Sequence, residues 1–471
     1  MSNTPLPDAA DATAEVSTTP SQVPEPKTWR AGTLTYTTAG LVTLFCWLLF
    51  GDFAWSMRDR SVGSLAGWYL NHLGVPNLVY GLLMSSFPVF IGLIIGPIIS
   101  VKSDRHRGRF GRRIPFLLVT TPLAAFGMLG LAVTPFIAKW VHGLFPKESE
   151  LLVSVICFGV FWAAFEAATI AGGAVFGGLI NDVVPKPMLG RFYGMFRAIS
   201  LIDGMIFNFW LIGKAPEHFT VIMVSIGVFY GVAFTWVCLK VREGDYPPPP
   251  PVDPRRKRVA QRFCDGAKDY FRECFSKPYY VLVFVMMVAS SLVFFPVNVF
   301  AIPYARSLGL DMDVYGKFLA LTYLISLCLS YFLGWLADLF HPLRMAIATM
   351  LGYLAVALWG GFYATTPNTF LIAWVLHGVL SGCYLTSAAS LTQRLFPQEK
   401  FAQFHSASSF IASPVNLVFA PLIGALIDQT GNTYRYTFVV ACLMAMAALV
   451  AASQVHRRFM RLGGPKGYRA P

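Results

Sequence analysis

Residues 102–116 read KSDRHRGRFGRRIPF, a short basic segment between two long apolar runs. The run before it covers about residues 78–101, and the run after it covers about residues 115–137. Each run is long enough to cross a bilayer as a helix, which takes roughly 20 apolar residues. The six Lys and Arg side chains of residues 102–113 cannot lie in hydrocarbon. The segment is therefore predicted to be a loop between two membrane helices, on the cytoplasmic side where Lys and Arg accumulate.

The composition of the whole chain is that of a polytopic membrane protein. Of its 471 residues, 55% are hydrophobic and 13% are charged, whereas soluble domains carry about 25% charged residues. The net charge of +13 does not indicate a nucleic-acid partner, because Lys and Arg lie between apolar runs and not on one soluble face. The eight cysteines show no metal-ligand spacing. We expect no nucleic acid, no metal and no cofactor.

Twelve apolar runs predict an all-α polytopic membrane protein with twelve transmembrane helices in two six-helix bundles. The predicted domains are a disordered cytoplasmic tail at 1–30, a first bundle at 31–240, a cytoplasmic central loop at 241–277, a second bundle at 278–456 and a cytoplasmic tail at 457–471. The predicted helices cover residues 33–57, 78–101, 114–137, 151–181, 191–213, 218–240, 279–303, 314–337, 344–365, 369–394, 403–427 and 434–455.

The distribution of Lys and Arg predicts the orientation of the chain. An even number of helices places both termini on one side, and most Lys and Arg fall on that side, which is therefore cytoplasmic. We expect an integral protein of the bacterial inner (cell) membrane, in contact with lipid and acting as a monomer. The few basic residues assigned to the outside are Arg58, Arg60, Lys139, Lys147, Lys214, Arg306, Lys317 and Arg435.

The two predicted bundles repeat each other at equivalent places. Gly334-Trp335-Leu336-Ala337-Asp338 follows the eighth helix as Ser100-Val101-Lys102-Ser103-Asp104 follows the second. After the fourth helix, Pro185 precedes Gly190-Arg191-Phe192, and after the tenth, Pro397 precedes Ala402-Gln403-Phe404 at the same interval. Two related bundles around a site at the bilayer midplane are typical of secondary transporters.

Several motifs resemble the plant sucrose-transporter group of the major facilitator superfamily, which is related to the glycoside–pentoside–hexuronide:cation symporters. They are Leu73-Gly74-Val75-Pro76, Ser103-Asp104-Arg105, Arg109-Phe110-Gly111-Arg112-Arg113, and in the fourth helix Phe161-Trp162 with Glu166 and Asp182. The resemblance implies two rocking bundles and a sugar or glycoside substrate, of the sucrose-like di- or oligosaccharide class. Three positions depart from the group: Gly177 stands near its fourth-helix arginine, Asn77 stands where it has a histidine, and Ser100 stands where the loop motif usually has glycine.

Three carboxylates within the predicted helices are candidate sites for proton or cation coupling. Glu166 lies near the centre of the fourth helix, Asp203 near the middle of the fifth, and Asp52 near the outer end of the first. An ionised carboxylate in the membrane costs at least a few kcal/mol, and burial favours its protonated form. Glu166 could instead form a structural hydrogen bond to a neighbouring helix, and Asp52 could pair with Arg58 or Arg60.

Uncharged polar groups predict the substrate-binding surface. Asn298 and Asn416 follow helix prolines, which free backbone groups to line a cavity. His377 and Tyr384 share a helix face, although a lone histidine in a helix is more often a packing residue. Trp162 is a candidate stacking platform. Arg197 resembles the sugar-contacting arginines of the glycoside symporters, and it could equally extend to the interface.

The basic loop is a candidate gate. The resemblance implies that Asp104, with Arg109, Arg112 or Arg113, holds the cytoplasmic ends of the bundles together when the site faces outward. Asp338 is the counterpart of Asp104 in the second half. The arginines can also act only by fixing the topology.

The function indicated is a proton-coupled symporter that moves a sugar or glycoside by alternating access. One alternative is a transporter of another solute, an exporter or a sodium-coupled porter on the same fold. A second is a non-transporting sensor, scaffold or membrane enzyme, but no metal cluster, nucleophile motif or phosphate-binding glycine loop supports an enzyme.

Overall fold

The structure is a computed structural model that describes residues 28–248, 272–397 and 400–471. Within these ranges, eleven continuous helical stretches are long and apolar enough to span a membrane. One of them, Lys186–Lys240, has 55 residues. It would extend about 80 Å if straight, against a hydrocarbon core of about 30 Å, so it contains two spans. The prediction of an all-α polytopic membrane protein is confirmed.

In the part of the chain that the structure describes, each half contains six long helices. In the first half they are α1 Thr38–His72, α2 Asn77–Arg105, α3 Ile114–Leu144, α4 Glu150–Val183, α5 Leu189–Ile206 with turns that continue it to Lys214, and α6 Ala215–Lys240. In the second half they are α7 Pro278–Ser307, α8 Met312–Phe340, α9 Pro342–Tyr363, α10 Pro367–Leu395, α11 Phe401–Gln429 and α12 Tyr436–Arg461. An antiparallel hairpin of β1 Thr28–Ala31 and β2 Leu34–Thr37 precedes α1.

The structure corrects the sequence prediction near the N-terminus. The predicted end of the first helix at residue 57 is wrong, because α1 continues to His72. The predicted helix ended just before the consecutive charges of Arg58, Asp59 and Arg60, but these residues lie inside α1, and the apolar segment 61–70 follows them. Residues 28–30, predicted as disordered tail, form part of β1.

The two halves meet at one side of the membrane. We call the side with Thr38, Lys240 and Pro278 the terminal face, and the opposite side the distal face. At the distal face the Asp428 carboxylate of α11 accepts hydrogen bonds from the first residues of α2. Its Oδ1 accepts from Asn77 N at 3.0 Å and Asn77 Nδ2 at 2.8 Å, and its Oδ2 accepts from Leu78 N at 2.9 Å. Asn77, which departs from the sucrose-transporter pattern, thus takes part in the hydrogen-bonded contact between the two halves.

Close backbone approach strengthens this distal contact. A Cβ at Gly424 in α11 would overlap the carbonyl oxygen of Asn77, and a Cβ at Gly316 in α8 would overlap that of Asn208 in α5. Only glycine allows helices to approach so closely. Nearer the midplane, Ser86 Oγ of α2 donates to Leu417 O of α11 at 2.5 Å.

The halves separate toward the terminal face. On one face of α5, Gly204 and Asn208 are covered by Tyr323 and Gly316 of α8. Arg197, seven residues before Gly204 and on the same face, is exposed. The two halves therefore enclose a gap that is closed at the distal face and open at the terminal face.

Candidate functional site

The charged segment of α1 connects three helices of the first half. Arg58 has no exposed surface, and its Nη1 donates to Thr169 Oγ1 of α4 at 3.1 Å. Arg60 donates through Nη2 to Ser200 Oγ of α5 at 2.8 Å, and its guanidinium carbon lies 5.4 Å from the ring centre of Tyr323 in α8. The assignment of Arg58 and Arg60 to the outside is therefore wrong.

Asp52 lies on α1 about two turns before these arginines. The sequence placed it near the outer end of the first helix, but it is near the middle because α1 is longer than predicted. Its side chain is buried, and Oδ2 has no hydrogen-bond partner among the described residues. Neither Arg58 nor Arg60 forms a described ion pair with it. The alternative to a coupling role, in which Asp52 simply pairs with one of these arginines, is therefore not found in this conformation.

Glu166 and Asp203 occupy equivalent depths in α4 and α5. Glu166 is at the middle of the 34-residue α4 and is half-buried. Asp203 is completely buried, and neither carboxylate oxygen has a hydrogen-bond partner among the described residues. Its charge interacts with those of Asp52 and Arg60. An unpaired ionised carboxylate in this setting is costly, because no donor group among the described residues compensates its burial.

Trp162 packs inside the first half, and the expectation of a stacking platform is not met in this conformation. Only 2% of its surface is exposed, and it lies between the rings of Phe158 and Phe165. Its indole Nε1 donates to Leu83 O at 2.8 Å. Leu83 lies in a π-helical turn of α2, Leu82–Ser86, and such a turn leaves carbonyl groups available to other donors.

His377 is an internal residue of the second half and positions Asn298. It is fully buried and stacks on Trp374 with ring centres 5.3 Å apart. Its Nδ1 pairs with Tyr353 Oη at 2.7 Å, and its Nε2 with Asn298 Oδ1 at 3.1 Å. If Tyr353 donates to Nδ1, then Nε2–H donates to Asn298, and the neutral ring satisfies both contacts. Direct contact of His377 with a substrate, as predicted, is incompatible with this burial.

Asn298 and Tyr384 line a cavity of about 380 Å³ between α7 and α10. Asn298 is exposed, whereas Tyr384 is mostly buried against Phe294 at a centroid distance of 5.4 Å. The volume lies in the range of small-molecule sites. Asn416 of α11 is half-buried and forms no described hydrogen bond. The structure thus groups Asn298, His377 and Tyr384, and leaves Asn416 on another helix.

The basic loop between α2 and α3 is ordered by carboxylates of its own half. Arg112 binds Asp182 of α4 through Nε at 3.0 Å and Nη2 at 2.6 Å. Arg113 bridges Asp104 at 2.5 Å and Asp182 at 3.3 Å. With the terminal face open, these pairs hold α2, α3 and α4 together within one half.

The other predicted gate residues take no described part in these pairs. The Arg109 guanidinium lies over the Phe110 ring at 6.0 Å. The side chain of Asp338 falls outside the described part of the structure.

His341, between α8 and α9, is a neutral cap of α9. Burial and the charges of Arg394, Arg344 and His456 lower the pKa of His341 to about 4. The neutral ring accepts from Leu343 N at 3.2 Å through Nδ1 and caps α9.

Glu243, just after α6, holds the start of α3. Its carboxylate accepts from the backbone N–H groups of Arg112, Arg113 and Ile114 at 3.0, 2.8 and 2.7 Å. A carboxylate at a helix N-terminus satisfies free N–H groups and opposes the helix dipole. The central segment is therefore attached to the basic loop.

We expect Glu243→Ala to lower the free energy of unfolding by about 2 kcal/mol, because three backbone donors lose a charged acceptor. Thermal unfolding of the purified protein, followed by tryptophan fluorescence, measures the change. Asp245→Ala is the matched control, since the Asp245 side chain is exposed and forms no described hydrogen bond. Equal melting temperatures for the two variants would contradict the capping role.

Sequence reasoning missed four functional groups in this arrangement: Arg58, Arg60, Glu243 and Asp428. The apolar stretch from Ser61 to Leu70 was the available signal that α1 continues past its charges. Glu243 and Asp428 act through backbone groups far away along the chain, and no local pattern marks them.

Comparison with known proteins agrees with this architecture. The second half matches the family model of the Major Facilitator Superfamily over residues 283–458. The chain is similar to the MFS transporter asaE of Aspergillus flavus, with 22% identity over 422 residues that cover 87% of this chain and 84% of that protein. It is 36% identical over 87 residues to the human Proton-associated sugar transporter A, a match that covers 18% of this chain and 11% of that protein.

Among solved structures, the chain is similar to a bacterial homologue of the human lysosomal transporter Spinster in an inward-facing, unoccupied conformation. The TM-score is 0.63 at 14% identity, and the match covers 89% of this chain and 97% of that one. At this identity the likeness concerns the fold. The chain therefore has the fold of the major facilitator superfamily, and the match over its second half supports its placement in that superfamily of membrane transporters.

Proposed function

We propose that the protein is a secondary active transporter that moves a sugar or glycoside, of the sucrose-like di- or oligosaccharide class, together with protons. The observation that carries the proposal is the cluster of Asp52, Glu166 and Asp203 with Arg58 and Arg60, which gathers charged groups in the middle of the first half. Intramembrane carboxylates of this kind mark ion and proton pathways. Coupling to protons needs groups whose charge can change within the transport cycle.

Glu166 is the principal proton carrier in this proposal. It is half-buried, so water in the gap can exchange a proton with it, and it lies at the midpoint of α4. Loading a proton neutralises the carboxylate and makes reorientation of the two halves less costly. Asp203 and Asp52 add further sites of the same kind on α5 and α1.

The substrate groups lie in both halves. Arg197 on α5 is exposed in the gap, and Asn298 and Tyr384 line the cavity of the second half. Sugar hydroxyls need donors and acceptors, which these side chains supply, and ring faces pack on aromatic side chains. Asn416 is a further candidate contact on α11. His377 and Tyr353 hold the Asn298 amide in place.

We place the protein in the bacterial inner membrane with the terminal face in the cytoplasm. The positive-inside rule supports this orientation, because the loop at 102–113, the central segment, the chain ends and the other connections on that side together carry most of the basic residues. The conformation described here is then open to the cytoplasm. In the outward-open state the loop of Asp104, Arg109, Arg112 and Arg113 would meet the second half near Asp338. Its arginines can exchange their present carboxylates for partners there.

Uptake of labelled glycosides into proteoliposomes under imposed gradients tests the proposal. We expect a proton gradient, acid outside, to drive accumulation of at least one glycoside, and a sodium gradient to drive none. Accumulation driven by a sodium gradient alone would show that the coupling ion is sodium and not the proton. A panel in which only non-sugar solutes are transported would overturn the substrate class.

A further inference from the structure

The end of α10 at the terminal face is a separate short helix. The regular helix runs over Pro367–Ala388, and a further helix of five residues, Leu391–Leu395, follows it. Between them, Ser390 has φ −97° and ψ 5°, which departs from α-helical values. We call Leu391–Leu395 the end helix. A helix of five residues is not stable by itself, so the position of the end helix depends on contacts with its neighbours.

One side of the end helix faces the cavity of the second half. Leu391 and Thr392 line this cavity, and Tyr384 lines it from the regular part of α10. Leu391 is buried and Thr392 is half-buried. A displacement of the end helix relative to the rest of α10 would therefore change the cavity wall at Leu391 and Thr392 and leave Tyr384 in place.

A hydroxyl group from the chain beyond α12 binds the last residue of the end helix. Tyr468 Oη donates to Leu395 O at 2.7 Å, and the carbonyl groups of a last helical turn have no partner within the helix. The Tyr468 ring packs on Phe459 of α12, with ring centres 4.9 Å apart. Burial raises the pKa of the Tyr468 phenol above its usual range, so the hydroxyl remains a donor at neutral pH. Tyr468 thus connects the end helix to α12.

Two glycines return the chain from α12 to the end helix. After α12 ends at Arg461, Gly463 and Gly464 have φ of +107° and +59°, left-handed conformations that favour glycine. A Cβ at Gly463 would overlap the carbonyl oxygen of Gly467. The reversal of the chain that places Tyr468 therefore requires glycine at position 463.

Apolar packing by itself does not fix the end helix. Leu391 and Leu395 belong to an apolar cluster with Phe404 of α11 and Phe459 of α12. The hydrophobic effect that holds such a cluster together is non-directional, whereas a hydrogen bond specifies the position of its acceptor. The Tyr468 hydroxyl therefore selects one position of the end helix among those that the cluster allows.

We propose that Tyr468 is a positioning residue for the cavity of the second half. Its hydroxyl fixes the end helix, and the end helix fixes Leu391 and Thr392 in the cavity wall. Without the hydroxyl, the end helix opens more often, which weakens binding in the cavity without slowing reorientation of the halves. The inference rests on the proposed function where it treats this cavity as part of the substrate site, whereas the connection from Tyr468 to the cavity wall stands independently.

Hydrogen–deuterium exchange of the purified full-length protein measures the connection to the end helix. In Tyr468→Phe, amide exchange over residues 391–396 should be about fivefold faster, the effect of one lost hydrogen bond. Gly463→Ala should give a similar change, because it displaces Tyr468 without altering it. Tyr280→Phe is the matched control, since Tyr280 Oη donates to Pro471 O at 2.7 Å and not to the end helix. Unchanged exchange over 391–396 in Tyr468→Phe, or an equal change in Tyr280→Phe, would overturn the proposal.

Cysteine labelling measures the connection to the cavity wall. In a protein whose native cysteines are replaced, Thr392→Cys reports the wall formed by the end helix, and Ser291→Cys reports the wall formed by α7. We expect Tyr468→Phe to raise the rate of maleimide labelling about fivefold at position 392 and to leave the rate at position 291 unchanged. Equal changes at both positions would mean a general loosening of the second half, and no change at position 392 would mean a wall independent of Tyr468. Either result rejects the positioning role.

A transport readout separates this inference from the proposed function. For a glycoside that the unmodified protein transports, Tyr468→Phe should raise KM about fivefold and keep kcat within about twofold, because binding is lost and reorientation is not. Faster exchange over 391–396 with an unchanged KM would contradict the positioning role. If the protein transports no glycoside, the proposed function fails, and exchange and labelling still decide whether Tyr468 fixes the cavity wall.

Discussion

Glu166→Gln is expected to abolish uphill accumulation of substrate while leaving exchange across the membrane intact. Glutamine matches the shape of the protonated side chain but can neither release nor bind a proton, so reorientation continues without coupling. A membrane potential of about 100 mV is worth about 2.3 kcal/mol per transported charge, and accumulation of about 50-fold should therefore fall to about onefold. Uptake and counterflow of a labelled glycoside in proteoliposomes measure the two properties separately.

Glu150→Gln is the matched control for this substitution. Glu150 is exposed in the first turn of the same helix, where no coupling role is proposed. Its accumulation ratio should equal that of the unmodified protein. Full gradient-driven accumulation by Glu166→Gln would show that Glu166 carries no proton, and Asp203→Asn and Asp52→Asn would then be the variants to measure.

Asp428→Ala is expected to open the distal face. The substitution removes three hydrogen bonds from the start of α2 to a carboxylate of the other half. Charge-assisted bonds of this kind together stabilise the closed arrangement by about 3 kcal/mol, which corresponds to about 150-fold in the ratio of the two conformations. Distances between spin labels at Glu148→Cys and Asn368→Cys, in a protein whose native cysteines are replaced, report the change. A population at longer distance should appear.

Glu217→Ala controls for removal of a distal carboxylate. The Glu217 side chain is 84% exposed and forms no described bond to the second half. The distance distribution of this variant should match that of the labelled parent. An unchanged distribution for Asp428→Ala would mean that glycine-mediated packing, as at Gly424 and Gly316, holds the distal face closed without the carboxylate.

The sequence was sufficient for the features that depend on local pattern. Hydropathy predicted the fold class and placed Glu166 at mid-helix, where it is found. It failed at Arg58 because three consecutive charges lower the hydropathy of any window, whereas the arginine is stabilised by rings and a hydroxyl from α4 and α6. Such partners are set by packing between helices.

Other features depend on contacts between distant parts of the chain. The acceptor for the Trp162 indole is a carbonyl group that a π turn in α2 leaves available. Nothing in the sequence of α4 predicts this acceptor. Asp428 and Asn77 are 351 residues apart, and neither belongs to a motif that predicts the other. For the second half, the sequence predicted only a set of candidate polar groups. Burial distinguishes His377, which is internal, from Asn298, which is exposed, and hydropathy does not distinguish the two.

The π turn Leu82–Ser86 has a counterpart in α5, Phe207–Leu211, and both lie near contacts with the second half. Each holds one residue more than regular α-helical winding requires. Deleting a single amino acid there would rotate everything beyond it by about 100° and turn the interacting surfaces toward lipid. The chain should consequently accept many exchanges of residue type in these two turns but no change in their length.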